Sequence, residues 1–159
     1  MMRELTVKIQ FTNPSLGNQK GPNGRYTFQR SLDNKILFLP TWHYSNMVLA
    51  ADMLGRHQET VKKICWDIEI DAKLHPNCFA RHYYPKTNNG KERWSVHESL
   101  KTGQTIGLNC IVPSEIDDAD FWSLLQIAGK YKGLSPWQPG QYGHYQVVEF
   151  HLRRQKFKE

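Results

Sequence analysis

The order in which hydrophobic periodicities succeed one another constrains this chain more than any motif does. Leu5-Thr6-Val7-Lys8-Ile9-Gln10-Phe11 alternates apolar and polar residues, the pattern of a strand with one buried face. Between Ser45 and Cys65 the apolar residues Met47, Leu49, Ala50, Met53, Leu54, Val61 and Ile64 recur near the helical period, with Ser45 as N-cap and Gly55 as a break. Trp66 to Asp71 alternates again. Thr105 to Val112 is a further strand, and Pro113-Ser114 introduces a helix with Phe121, Leu124, Leu125, Ala128 and Tyr131 as its apolar stripe. Its first turn holds Glu115, Asp117, Asp118 and Asp120, carboxylates at the positive end of the helix dipole, which points to capping and not to a metal. Gly143 to Leu152 closes the series as the last strand.

Strand, helix, strand, then strand, helix, strand is the split β-α-β order, and it predicts an α+β fold with a ferredoxin-like core. A larger mixed sheet without that symmetry is the competing architecture. Two hairpins are added to the core. The first, after strand one, is Tyr26 to Leu32 with Lys35 to Leu39 around Asp33-Asn34, preceded by a long loop from Thr12 to Arg25 rich in turn dipeptides. The second lies mid-chain, Cys78 to Tyr84 with Arg93 to His97.

A chain of 159 residues makes one domain the expectation over 1–159, with a basic C-terminal tail at 153–159. No long apolar run is present and Met1-Met2-Arg3-Glu4-Leu5 lacks the apolar block of a leader, so a cytoplasmic protein with no membrane partner is expected. Three cysteines, Cys65, Cys78 and Cys110, form no CxxC pair and are expected as free thiols. Lys plus Arg is 21 against 15 Asp plus Glu, and the net charge of +6 favours a polyanionic partner.

The segment Gly129 to Tyr145 concentrates four glycines, two lysines, three tyrosines and Trp137 between the last helix and the last strand. Glycines let backbone N–H groups approach a phosphate, aromatic rings stack on bases, and lysines neutralise the backbone. With the terminal cations this gives a nucleic-acid-binding set: Lys130, Lys132, Gly133, Trp137, Gly140, Tyr142, Gly143, Tyr145, Arg153, Arg154 and Lys156. The alternative is an ordered loop in which Trp137 and Tyr142 close the core and the glycines make turns. The expected partner is RNA or single-stranded DNA.

The glycines Gly129, Gly133, Gly140 and Gly143 before the strand His144 to Leu152, on a split β-α-β order, resemble the RAMP superfamily of CRISPR-associated RNA-binding and RNA-processing proteins. The chain is also similar to uncharacterised phage-encoded proteins with Phe11-Thr12-x-x-x-Leu16-Gly17 near the start and Gly133-x-x-x-Trp137-x-Pro139, then Tyr142-Gly143-x-Tyr145, near the end. The first resemblance implies an RNA-binding module. The second keeps open a phage protein that binds a host complex and modulates it. The basic residue usually embedded in the RAMP glycine loop is missing between Gly133 and Gly143.

Histidine chemistry supplies an enzymatic alternative. His43 and His57 flank the first helix, where some RAMP ribonucleases resemble this chain in placing a general base, and such a histidine with Tyr44 could activate a ribose 2′-hydroxyl in a metal-independent endoribonuclease. Loop-packing histidines are the plainer reading. Cys110 beside His97 lies inside an apolar strand and reads as a small buried residue. His75-x-x-Cys78-x-x-x-His82 has a zinc-like spacing. Four residues of strand nevertheless span roughly 13 Å, too far for Cys78 and His82 to share one tetrahedral ion. No metal and no cofactor is therefore expected. A strong chelator is expected to leave the thermal melt unchanged, and a large drop in melting temperature with zinc found by elemental analysis would overturn this.

Overall fold

The computed structural model describes residues 2–21, 24–83, 92–135 and 142–157. In chain order its elements are β1 (Met2–Phe11), β2 (Ser15–Leu16), β3 (Gln19–Lys20), β4 (Tyr26–Thr27), β5 (Ile36–Leu37), α1 (Pro40–Leu54), a 3-10 turn (Thr60–Lys63), β6 (Cys65–Trp66), β7 (Glu69–Ile70), β8 (His75–Tyr83), β9 (Glu92–Leu100), β10 (Thr105–Pro113), α2 (Asp118–Tyr131) and β11 (Tyr145–Phe157). This is a mixed α+β architecture.

The alternation in β1 acts as expected. Leu5, Val7, Ile9 and Phe11 are each at most 1% exposed, while Thr6, Lys8 and Gln10 point the other way. β1 pairs antiparallel with β10 on one side and β11 on the other, and the main sheet runs β11-β1-β10-β6. Ile106, Leu108, Cys110 and Val112 bring the same buried face across from β10. Phe121, Leu124, Leu125 and Ala128 of α2 and Met47, Ala50 and Ala51 of α1 join this core. Each large side chain moved out of water there contributes about 1.5 to 3 kcal/mol. The opposite face is polar and paired: Thr6 Oγ donates to Asn109 Oδ1 at 2.7 Å, Gln146 Nε2 to Gln10 Oε1 at 2.8 Å, and Lys8 meets Glu149 at 3.0 Å.

A second sheet is built on β9, which pairs with β8 along its length and with β2 and β4 on its other edge, β3 extending from β4. The mid-chain hairpin is thus longer than its sequence pattern suggests. Its partner strands are fastened through His97, whose Nδ1–H donates to the Gly17 carbonyl at 2.5 Å and whose Nε2 accepts from Ser95 Oγ–H at 2.6 Å.

Several boundaries differ from those that periodicity predicts. α1 begins at Pro40 and not at Ser45, because a proline at the first helical position has no N–H to waste and a preset φ. Gly55 ends it as expected, in the left-handed region at φ 77°. The strand expected from Trp66 to Asp71 is split: β6 joins β10 and β7 joins β5, because Asp67 Oδ1 turns the chain by accepting from the Glu69 N–H at 3.1 Å. Its burial alternation survives, with Ile70 buried and Asp67, Glu69 and Asp71 exposed. The first hairpin keeps its turn, with Asn34 at φ 61°, yet only Arg30 and Ile36 bridge across it. The expected basic tail at 153–159 is, through Phe157, part of β11. Its register with β1 shifts three times, so that Val148, Arg153 and Lys156 have no directly opposed partner. Such bulges twist an edge strand and hinder its pairing with another chain.

α2 is capped as its acidic first turn predicts, Asp117 accepting from the Asp120 N–H at 2.7 Å. Asp120 also holds the end of α1, meeting His57 Nε2 at 2.7 Å and Arg56 at 3.0 Å.

The described ends of the Gly-rich segment close on themselves. Gly133 and Gly143 both have positive φ, 77° and 78°, and a Cβ on Gly133 would stand 2.6 Å from the Gly143 carbonyl carbon. Gly133→Ala is expected to lose about 1 to 3 kcal/mol from the backbone conformation, with the clash adding to it. Gly103→Ala, also at positive φ but with open space around it, is expected to lose only the backbone part. Urea midpoints of the two variants check the difference.

Candidate nucleic-acid interface

The Gly-rich segment leaves α2 and returns to β11 beside a groove of about 520 Å³. Lys130, Tyr131, His144 and Tyr145 line it together with Thr12 and Asn13, whose N–H groups donate to the His144 carbonyl at 2.9 and 3.4 Å. Lys130 Nζ lies 5.2 Å from the centroid of the Tyr131 ring, and that ring is half exposed. Burial holds the His144 imidazole below its usual value, against a backbone hydrogen bond with Lys130 that acts the other way. The groove therefore offers one cation, one exposed ring and a neutral histidine.

Three backbone donors among the described residues of the segment are committed elsewhere. Gly133 N–H donates to Ala128 O at 2.8 Å, Leu134 N–H to Gly143 O at 2.9 Å, and Gly143 N–H to Pro14 O at 2.8 Å. Gly129 faces the Tyr145 carbonyl and ring so closely that no Cβ fits between them. Ser15 Oγ donates to Leu134 O at 2.6 Å, and Asn46 Nδ2 ties Gly133 O to α1 at 2.9 Å. At Gly129, Gly133 and Gly143 the glycines serve close packing, so a phosphate meets no free amide at Gly133, Leu134 or Gly143.

The other residues of the predicted set scatter. Tyr145 is 4% exposed and its hydroxyl is pushed up by burial, so its ring belongs to the core and not to a stacking surface. Tyr142 is half-buried, and Lys132 is the residue that ends α2. Trp137 and Gly140 lie outside the described residues. Arg153 is half exposed and pairs with Glu4 at 3.2 Å. Arg154 and Lys156 fall on β11, with their side chains outside the description. Tyr145 and Arg153 are eight residues apart on one strand, roughly 26 Å. Lys130 on α2 lines the groove beside Tyr145, at the start of β11, whereas Arg153 lies far along that strand and is not among the residues lining the groove.

Of the two histidines expected as candidate bases, His43 lies in the first turn of α1 and His57 lies beyond its C-terminal cap at Gly55. His57 is occupied by Asp120. His43 is 2% exposed, stacks on Trp66 at 4.5 Å between ring centroids, and is lowered by burial to about 3. A base so weak holds a proton taken from a hydroxyl poorly. Cys110 is buried, its thiol pushed up by that burial. Among the described residues, no group of three or more His, Cys, Asp or Glu side chains could hold a metal ion, and no helix is long and apolar enough to cross a membrane.

Hairpin β8–β9 carries a feature that its strand pattern does not announce. Phe79 and Trp94 are each 63% exposed. In register Phe79 opposes Val96, and Trp94 lies two residues from Val96 along β9, which puts both rings on one face of the hairpin. The available signal is the run from Phe79 to Trp94, where Arg81, Lys86, Lys91 and Arg93 are interspersed with Tyr83 and Tyr84. By periodicity alone that run reads as strand and turn.

No family model matches the sequence, and no curated protein does. Among solved structures, the chain is similar to one in the cryo-EM structure of Type III-B Cmr-beta bound to cognate target RNA, with a TM-score of 0.65 and 12% sequence identity. The match covers 95% of this chain and 60% of that one. The likeness is one of fold.

The buried imidazole sets a pH dependence. Unfolded, His43 takes a proton near 6.5, whereas folded it resists protonation to about 3. Between those values the unfolded chain binds more protons, so stability rises with pH across that window and is lost as pH falls. Urea midpoints measured across the acid range are expected to show this, and His43→Phe is expected to remove that part of the slope.

Proposed function

We propose that this protein is an RNA-binding module of RAMP type, built on a ferredoxin-like core. Its fold likeness to a chain of an RNA-bound Cmr assembly carries the reading. The strand order β11-β1-β10-β6, with α1 and α2 closing one face, supports the ferredoxin-like core. The net charge of +6 supports a polyanionic ligand.

Two surfaces are suited to the strand. The exposed Phe79 and Trp94 of β8–β9 offer stacking faces amid basic sequence, and Lys130 with Tyr131 offers a cation beside a ring at the groove. The open face of the main sheet is a poorer platform, since its central positions Thr6, Lys8 and Gln10 are polar and pair with neighbouring strands. The weak basicity of His43 and the occupation of His57 favour binding over strand cleavage. In this reading a protein complex of host or phage is the setting in which the RNA is held.

Fluorescence anisotropy with a labelled single-stranded RNA, repeated at several salt concentrations, tests the reading. Binding is expected to weaken steeply as salt rises, and to fall by about 1 to 3 kcal/mol in Trp94→Ala with little change in stability. A matched single-stranded DNA is expected to bind less tightly. Absence of binding to either at low salt would overturn the proposal and leave a protein complex as the partner.

A further inference from the structure

Away from the groove and from the ring-bearing face of the hairpin, cationic side chains gather where β8 begins and β9 ends. His75 opposes Ser99 in the antiparallel register of the two strands. Ser99 and Val96, the partner of Phe79, are three residues apart on β9, so His75 and Phe79 belong to opposite faces of the hairpin. Lys73 precedes His75 by two residues and Lys101 follows Ser99 by two, which carries both lysines to the side of His75. Gln104 spans them: its Oε1 accepts from the Lys101 N–H at 2.9 Å, and its Nε2–H donates to the Lys73 carbonyl at 2.8 Å. Arg25 is fastened to the next residue of β8, donating from Nη2 to the Pro76 carbonyl.

Lys73 and Lys101 are exposed and His75 is partly so, which leaves the cluster open to a ligand. Partial burial, then the Lys101 and Lys73 charges, hold the His75 imidazole below its usual value. Like charges set opposite each other across a strand pair are destabilising. Elsewhere the protein relieves such charges: Lys8, Arg30, Arg56, Lys62 and Arg153 each meet a carboxylate. Here it does not. Glu98 on β9 turns to the Phe28 N–H and to Arg30. Asp71 lies two residues before Lys73, yet among the described residues no carboxylate pairs with Lys73, His75 or Lys101. A phosphate supplies the missing charge. Its oxygens accept from both ammonium groups and from the imidazole, which takes up a proton when an anion settles beside it and then donates from both nitrogens.

We propose that Lys73, His75 and Lys101 form a phosphate seat at the foot of the β8–β9 hairpin, holding one backbone phosphate of a bound RNA strand. For the source of that phosphate the inference rests on the RNA-binding reading. Inorganic phosphate carries the same chemistry.

The test follows the His75 imidazole resonances of the unmodified protein by ¹H–¹⁵N NMR as pH is varied, in the free protein, with a single-stranded oligoribonucleotide and with inorganic phosphate. In parallel, oligonucleotide affinity is measured over a range of salt for the double variant Lys73→Gln, Lys101→Gln. A control, Lys35→Gln with Lys63→Gln, removes the same charge at two exposed lysines outside the cluster. With the oligonucleotide bound, His75 is expected to titrate at higher pH than in the free protein. The double variant is expected to bind about fivefold or more weakly at low salt, with a salt slope shallower by about 0.7, the share of one phosphate, and the control is expected to lose less. A raised His75 titration with inorganic phosphate but no oligonucleotide binding supports the seat, assigns it to free phosphate and removes the RNA reading. Oligonucleotide binding with an unmoved His75 titration, or with no more loss in the double variant than in the control, overturns the seat and leaves the RNA reading standing. No response to either ligand overturns both. The resonances are read on the parent protein, so a variant that fails to fold does not decide the matter.

Discussion

Everything in this molecule is arranged around a strand paired on both edges. β1 is hydrogen-bonded to β10 on one side and to β11 on the other, nearly from end to end. With both edges used, its strict alternation leaves one choice, which face meets the helices. A slip of one residue would turn Leu5, Val7, Ile9 and Phe11 into solvent and draw Lys8 into the core. The register of β10 and β11 is fixed by the same demand, so α2, between them in the chain, is obliged to return across the buried face. The C-terminal cations are drawn into the sheet by the same pairing, which explains why a stretch with the composition of a free tail is a strand through Phe157.

Elements whose sequence pattern reports burial are legible, whereas those whose pattern depends on a distant partner are not. β1, β10 and α2 each bury a face, so periodicity locates them, and the acidic first turn of α2 locates its cap. Trp66 to Asp71 shows the limit. Its alternation correctly reports which side chains are buried, but no alternation can say that β6 and β7 pair with different strands. Pro40 is another case, since a proline after an extended run is compatible with ending that run and with opening a helix. Burial along α1 separates the two: His43, Asn46, Met47, Ala50 and Ala51 form a helical face that starts before Ser45.

Glycine is the most ambiguous letter in the candidate site. The residue type that lets a phosphate approach a backbone is the type that lets two backbones approach each other. Composition cannot separate these uses, whereas hydrogen-bond partners can. The amides of Gly133, Leu134 and Gly143 already serve carbonyls of the protein. A similar ambiguity hides Phe79 and Trp94, because aromatic residues in a strand ordinarily signal a buried face. Only their exposure marks them as surface residues, and exposure of large rings on one face of a hairpin is the less common outcome.

Places where local stability is not optimised differ in kind from places where it is. Around the Gly-rich segment, Ser15, Asn46 and three main-chain amides find partners, and Gly133 and Gly143 pack where no side chain would fit. The described ends of that segment are built to hold their shape. Around α1, by contrast, His43 Nε2 and Asn46 Oδ1 are buried without partners among the described residues. Asn46 uses its amide N–H groups on Trp42 O and Gly133 O, so its position is explained by what it joins. His43 has no such explanation in the fold. It stacks on Trp66 as a phenylalanine could, and its nitrogen adds only a desolvation cost. Stability alone therefore does not account for the histidine at this position, whereas hydrogen bonds and close packing account for Asn46, Gly133 and Gly143.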